Sequence, residues 1–290
     1  MDIRLPSSAE AAGFRLHHLE EVQSTNDLAL KAALGGQDRL WILAEAQTGG
    51  RGRNGRIWHS PPGNLYASLA LVAPCAPADA PKLGFVAGIA LARALADIAP
   101  ALAARFRLKW PNDGLLDGMK VAGILLEGAV TARGEQAITI GIGINIAHHP
   151  AGLDQPVTHL TAYESSLSPA RLFSALALRM AESLEIFAGG RGFAAIRTLW
   201  EAYALPLGTP MRIRLPEGER HGLYAGLNAE GHLHLRINSD ITTILAGDVF
   251  LDKAAIITFS SEVGTTSCEE NASKHRVRAY PVIQPSPDTL

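Results

Sequence analysis

Residues 49–58 read Gly49-Gly50-Arg51-Gly52-Arg53-Asn54-Gly55-Arg56-Ile57-Trp58, and this run restricts the fold more than any other segment. Glycine disfavours both helix and strand interiors, and three nearby guanidinium groups repel one another, so the run is an exposed loop rich in N–H donors. Pro61-Pro62 closes it, while the apolar runs Trp41–Gln47 and Asn64–Ala73 on either side read as strands. Two core strands are therefore joined by a long cationic loop that an anion would order. Gly50, Gly52 and Gly55 satisfy G-x-G-x-x-G, yet Trp58-His59-Ser60-Pro61-Pro62 cannot begin the helix that dinucleotide binding needs. Cys75 stands about where the ribose-binding acid belongs, so a Rossmann-type site is excluded. Taken alone, the loop also suits a solvated linker or a segment that binds nucleic acid nonspecifically.

A chain of 290 residues, 47% hydrophobic, can bury one large core and a smaller one. Its net charge of −2, from 26 basic and 28 acidic residues, provides no broad field toward DNA or an anionic membrane. Any basic site is local. The longest apolar tract, about Leu83 to Ala104, is broken by Arg93, Asp97 and Pro100, which indicates a core helix in place of a membrane span. Phe85, Ile89, Ala92 and Ala96 share one face of that helix, and Arg93 and Asp97, four apart, are expected to pair on its surface. The N-terminus carries acidic Asp2 and no apolar run of the secretory kind. Cys75 and Cys268 have no metal-ligand spacing and cannot make a disulfide framework, so a cytoplasmic location is expected.

Arg105–Trp110 reads as a third strand, stopped by Pro111. The Asp117-Gly118 turn signal followed by Val121–Leu126 predicts a hairpin with Trp110 and Lys120 near each other at one end. Glu135–Ile146 is a further buried strand, and Thr158–Ala204 is predicted to be mostly helical, with Pro169 in the first turn after Ser168. Beyond Pro206 the pattern changes to close-spaced strands at Met211–Leu215, His221–Leu227, His232–Ile237 and Ile241–Leu245, the signature of a small barrel-like β domain. The expected organisation is a catalytic domain over 1–204, a β domain over 205–253 and a tail over 254–290 whose Ser, Glu and Pro content indicates disorder.

Three further clusters can carry chemistry. Lys109-Trp110-Pro111-Asn112-Asp113-Gly114 ends a strand at a proline turn, and taken singly is only turn chemistry. In Lys120-Val121-Ala122-Gly123-Ile124-Leu125-Leu126-Glu127, a lysine precedes a strand apolar on both faces, so its ammonium needs an anionic partner or a route to water. Ser24-Thr25-Asn26 opens a helix, and capping alone would equally account for Ser24 or Thr25. With Glu45-Ala46-Gln47 ahead of the arginine loop and Gly141-Ile142-Gly143-Ile144-Asn145 on a later strand, this ordered set closely resembles the biotin protein ligases from about Glu20 to Asp252.

The resemblance implies an α+β fold: a class II synthetase-like mixed sheet flanked by helices, then a small SH3-like β-barrel. It also implies a two-step reaction, in which biotin and MgATP give biotinyl-5′-AMP and a lysine of a biotin carboxyl carrier protein then attacks the mixed anhydride. On this basis Ser24, Thr25, Asn26 and Gln47 would hydrogen-bond the ureido ring. Gly50, Arg51, Gly52 and Arg53 would close over the phosphate and carboxylate, with Arg56 and Trp58 shielding the nucleotide. Lys109, Asn112, Gly123 and Asn145 complete the binding set, and Asp113 is expected to hold Mg²⁺ and to accept the incoming amine's proton. Lys120, with Arg53 and Asp113, is the expected catalytic group, because it can touch both reacting anions. The catalytic pattern begins within some twenty residues of Met1. No DNA-binding domain, and hence no repressor function, is therefore expected. Edge-to-edge homodimers are common in the family and are among the expectations. A lipoate or octanoate ligase of the same fold is the main alternative, disfavoured because a linear acyl chain has no use for a polar ureido-binding set; a nucleic-acid-binding protein is the other.

Overall fold

The computed structural model describes residues 3–251 except residue 154. In chain order the elements are α1 (Ser7–Ala11), β1 (Arg15–Val22), α2 (Thr25–Leu34), β2 (Leu40–Gln47), β3 (Leu65–Val72), α3 (Leu83–Ile98), α4 (Pro100–Ala103), β4 (Phe106–Lys109), β5 (Asp113–Leu116), β6 (Met119–Val130), β7 (Gln136–Ile144), α5 (Pro169–Phe187), α6 (Phe193–Tyr203), β8 (Pro210–Leu215), β9 (Gly218–Leu227), β10 (Leu233–Ile237), β11 (Asp240–Ile244) and β12 (Asp248–Leu251).

β3 and β7 read as near-continuous apolar runs because they lie at the centre of a seven-stranded sheet and are covered on both faces. The strand order is β1-β2-β3-β7-β6-β5-β4; β1 and β2 run parallel and every other neighbour is antiparallel, which makes the sheet mixed. α2 covers one face, where Ala29 and Ala33 pack on Ile42 and Ala70. α3 and α5 cover the other, with Trp41 meeting Phe173 edge-on at 5.5 Å between ring centroids. The alanines of α3 let it approach α5 closely. Fully buried residues such as Leu69, Ile89 and Ile140 each stabilise the core by about 2 kcal/mol. The second sheet is antiparallel, in the order β11-β10-β9-β8-β12.

Several expectations need correction. Arg93 and Asp97 do not pair with each other: Arg93 meets Glu182 at 3.1 Å, and Asp97 accepts from Nε and Nη2 of Arg179, at 2.6 and 2.7 Å. Both partners lie on α5, and a bidentate guanidinium fork outcompetes a single intrahelical contact. The apolar tract divides at Ala99, ahead of Pro100. The helical reading of Thr158–Ala204 holds only from Pro169, where Ser168 Oγ accepts from Arg171 N; residues 158–168 contain a single 3₁₀ turn, Leu160–Ala162. The β domain is a single sheet with β11 and β12 at its edges, and no β11–β12 pairing closes it into a barrel among the described residues. The turn at Asp117-Gly118 is present, with φ of 50° and 75°, the double positive of a type I′ hairpin turn. Cys268 and the 254–290 tail lie outside the described residues.

Candidate active site

A cavity of about 480 Å³ opens above β6 and β7, between the start of α2, the arginine loop and β12. Glycine makes the room. A Cβ at Gly141 would lie 2.2 Å from Asn26 Oδ1, and one at Gly143 would lie 2.6 Å from the Trp58 indole nitrogen. The floor of β7 is thus bare where a polar side chain and an indole must sit.

One end of the cavity is lined by uncharged polar side chains, with Arg51, Asp27 and Glu127 beside them. Ser24 Oγ accepts from Asp27 N at 3.3 Å and caps α2, which sets the next two side chains facing inward. Thr25 donates to Gln47 Oε1 through both its backbone N–H, at 2.9 Å, and its hydroxyl, at 3.0 Å, and Gln47 Nε2 donates to Ser60 Oγ at 3.0 Å. Asn26 Nδ2 donates to Glu127 at 2.7 Å, while Ser68 Oγ donates to Asn26 Oδ1 at 2.7 Å. Ser24, Thr25, Asn26 and Ser68 are all buried, and the Ser68–Asn26 contact is made in a low dielectric.

The other end is ionic. The short β4–β5–β6 meander sets Asp113 opposite Lys109 and Gly123, and brings Lys120 back to the same corner. Lys109 Nζ lies 3.0 Å from Asp113 Oδ2 and Lys120 Nζ 2.7 Å from Asp113 Oδ1. Burial alone would raise the Asp113 pKa, but the two ammonium groups outweigh it and hold the carboxyl at about 2. Burial lowers the Lys109 pKa, opposed by Asp113. Lys109 also donates to the Val249 carbonyl of β12.

The arginine loop lies across this end. Arg53 donates to Asn112 Oδ1 at 3.3 Å, and Asn112 Nδ2 donates to Ile124 O at 2.7 Å. Arg56 pairs with Asp248 of β12, and Asn54 donates to the same carboxylate at 3.5 Å. Arg51 is turned toward the polar end. It donates to Asp27 at 2.9 Å and lies 3.3 Å from Glu127, and the hydrogen bonds to Asp27 raise its pKa. Trp58 rests on Gly123 and Gly143 with Lys120 Nζ 5.4 Å from its ring, and its indole N–H is buried without a partner among the described residues.

The sequence profile of the Biotin/lipoate A/B protein ligase family matches residues 19–145. Over 241 residues the chain is 39% identical to the biotin–[acetyl-CoA-carboxylase] ligase of Paracoccus denitrificans, an alignment covering 80% of this chain and 98% of that one. The chain belongs to the biotin protein ligase family. It is also 30% identical over 257 residues to the bifunctional ligase/repressor BirA of Bacillus subtilis, covering 86% of this chain and 78% of that one. Among solved structures, the biotin protein ligase from Aquifex aeolicus in complex with biotin and ATP superposes with a TM-score of 0.69 at 27% identity, covering 82% of this chain and 99% of that one.

In this biotin protein ligase fold, Ser24, Thr25, Asn26, Gln47, Arg51, Gly52, Arg53, Arg56, Trp58, Lys109, Asn112, Asp113, Lys120, Gly123 and Asn145 all line the one cavity. Gly50 does not line it. A Cβ there would lie 2.6 Å from both Ser60 Oγ and the Trp58 carbonyl, so this glycine lets the loop fold back on itself. Asn145 donates to Thr158 O at 3.1 Å and braces the strand beside Lys120. Sequence reasoning missed Ser68, Glu127 as a partner of Asn26 and Arg51, and Asp248 with Val249. A serine in the otherwise apolar Leu65–Val72 run was a visible signal for the first; nothing local marks β12 as part of the site. No helix among the described residues is long and apolar enough to cross a membrane.

Proposed function

We propose that the protein activates biotin with ATP as biotinyl-5′-AMP and transfers the biotinyl group to a lysine of a biotin carboxyl carrier protein. The observation that carries this reading is the division of one cavity into an end lined by uncharged hydrogen-bonding side chains and an ionic end where Lys109 and Lys120 share Asp113. A ureido ring presents two N–H donors and one carbonyl in a fixed plane, which suits Ser24, Thr25, Asn26 and Gln47. At the other end a carboxylate oxygen bonds to the α-phosphorus while the bond to the β-phosphate oxygen breaks and pyrophosphate leaves. Two unit charges about 4 Å apart repel by roughly 4 kcal/mol at an effective dielectric of 20, and Lys120 is the group placed to offset that repulsion. Arg53 and Arg56 lie on the loop that shields the adenylate from water. In the second step the carrier's amine nitrogen attacks the acyl carbon, AMP departs and the nitrogen loses a proton.

Asp113 suits neither of the roles expected of it. Both its oxygens already receive an ammonium group, and a carboxyl held at about 2 is a poor proton acceptor near neutral pH. Asp248, the second carboxylate lining the cavity, is engaged by Arg56, and no group of three His, Cys, Asp or Glu side chains among the described residues could hold a metal ion. The described carboxylates form no all-protein Mg²⁺ cage, and a Mg²⁺ at this site would be held mainly by the nucleotide's phosphates. Asp113 is instead the counter-ion that keeps Lys109 charged and both lysines aligned. For the described residues we assign ligase activity, in the cytoplasm.

The test is exchange of labelled pyrophosphate into ATP by the purified protein. Exchange that requires biotin and is not supported by lipoate is the expected result; exchange with lipoate alone, or none with biotin, overturns the reading.

A further inference from the structure

Between β7 and the 3₁₀ turn at Leu160 the chain forms a wall of the cavity, to which Pro150, Leu153, Gln155 and Val157 contribute. The entry to this wall is fixed by Asn64, whose Oδ1 accepts from Ile146, Ala147 and His148 N–H groups at 2.8, 2.9 and 3.1 Å. The exit is fixed to the reacting lysine's own backbone: Lys120 N donates to Pro156 O and Thr158 N to Lys120 O, each at 2.9 Å. Asn145 Nδ2 donating to Thr158 O at 3.1 Å and Thr161 N and Oγ1 donating to Ile146 O at 2.9 Å tie the two ends at their base, and a contact between two side chains joins them farther out. His149 Nδ1 and His159 Nδ1 lie 2.6 Å apart, with the rings stacked at 4.8 Å between centroids.

That distance sets a condition on protons. One Nδ1 must donate and the other must accept, so the accepting ring carries its proton on Nε2. The contact survives when the donor ring becomes an imidazolium, and breaks when both rings do, because two N–H groups then face each other. We propose that His149 and His159 are a proton-dependent positioning pair that holds this wall against the Lys120 strand for nucleotide binding. The proposal rests on the ligase reading for the identity of the nucleotide.

His148, whose ring packs by Gly63, is the further titratable group that acts on His159; farther along the segment the Tyr163 hydroxyl meets Thr158 Oγ1 and the Lys120 ammonium is turned to Asp113. Burial lowers the His159 pKa, and the His149 and His148 imidazoles push it the same way. The second protonation therefore falls on the acid side of the ordinary imidazole range, and the pair's contribution to holding the wall is lost as pH falls.

The experiment is pyrophosphate exchange with the full chain, which isolates the first step from titration of the acceptor lysine, together with ¹⁵N-histidine NMR. In the wild type, KM for ATP is expected to rise roughly fivefold between about pH 7.5 and about pH 5.5, with kcat little changed. His149→Asn keeps a donor and an acceptor near the Nδ1 position without titrating, so its KM should stay within about twofold over the same range. His149→Ala should show the raised KM throughout. A flat wild-type profile, or an acid rise retained by the asparagine variant, overturns the proposal. The NMR spectrum at about pH 8 should show one of the two rings as the Nδ1–H tautomer, and both as Nε2–H would equally overturn it. Absence of exchange even at that pH counts against the ligase reading, and the pair is then judged by the tautomers alone.

Discussion

The two ends of the cavity hold their side chains in different ways. At the neutral end, Thr25, Asn26, Gln47 and Ser68 hydrogen-bond one another across α2, β2 and β3, with Glu127 of β6 and Ser60 completing the set. At the ionic end, the loop and the lysines lean on the second sheet: Arg56 and Asn54 on Asp248, and Lys109 on the Val249 carbonyl. A rigid neutral network fixes which ring is recognised. An ionic end built partly from a loop and partly from another sheet can rearrange when anions arrive, since a guanidinium paired with a carboxylate can exchange it for a phosphate. The difference predicts that substitutions at the two ends will separate cleanly in the kinetics.

The largest effect is expected for Lys120→Ala. Removing the charge that stands between two repelling anions should lower biotin-dependent exchange by about 10³-fold while leaving biotin affinity within a few-fold, measured by exchange kinetics and calorimetric titration. Near-normal exchange would remove Lys120 from the chemistry. Asp113→Asn comes next, at about 10²-fold, because two buried ammonium groups lose their shared counter-ion. Raising Mg²⁺ or substituting Mn²⁺ should not restore the rate, and a full rescue would return Asp113 to metal binding. The same carboxyl has a sign in pH. Its pKa is depressed from 3.8 to about 2, so its stabilising contribution is complete above about pH 4 and disappears as pH falls toward 2. The acid limb of thermal melting should be shallower in the asparagine variant than in the wild type.

Most of the large sheet was legible because its central strands are continuous apolar runs bounded by glycine and proline signals, as at Trp41–Gln47 and Glu135–Ile146. β1 was not legible: an edge strand reading Arg-Leu-His-His-Leu-Glu-Glu-Val is too polar to announce itself. The site residues were legible wherever a run of unusual chemistry broke the apolar pattern, as the arginine loop and Lys109–Gly114 do. What was hidden depended on tertiary partners. Arg93 and Asp97 have a good local pairing that charges on α5 override, and Asp113 looks like a metal ligand until two lysines from neighbouring strands are seen to hold it. Asp248 stands more than a hundred residues from the lysines it lies near, and spacing cannot reveal that.

Asp248→Ala is expected to raise KM for ATP by about tenfold with little change in KM for biotin, since it frees Arg56 and Asn54 at the ionic end only. Free biotinyl-AMP should also escape more readily, detected as AMP formed in excess of biotinylated carrier; equal effects on both substrates would break the division between the ends. Ser68→Ala sharpens it from the other side with the smallest change. The serine hydroxyl is 1% exposed and donates to Asn26 Oδ1, so its loss leaves a buried acceptor short of one partner, worth about 1 kcal/mol. That corresponds to roughly a fivefold rise in KM for biotin with KM for ATP unmoved. If instead ATP binding weakens in step, the buried network and the ionic corner move together, and the neutral end does not act as a separate recognition element.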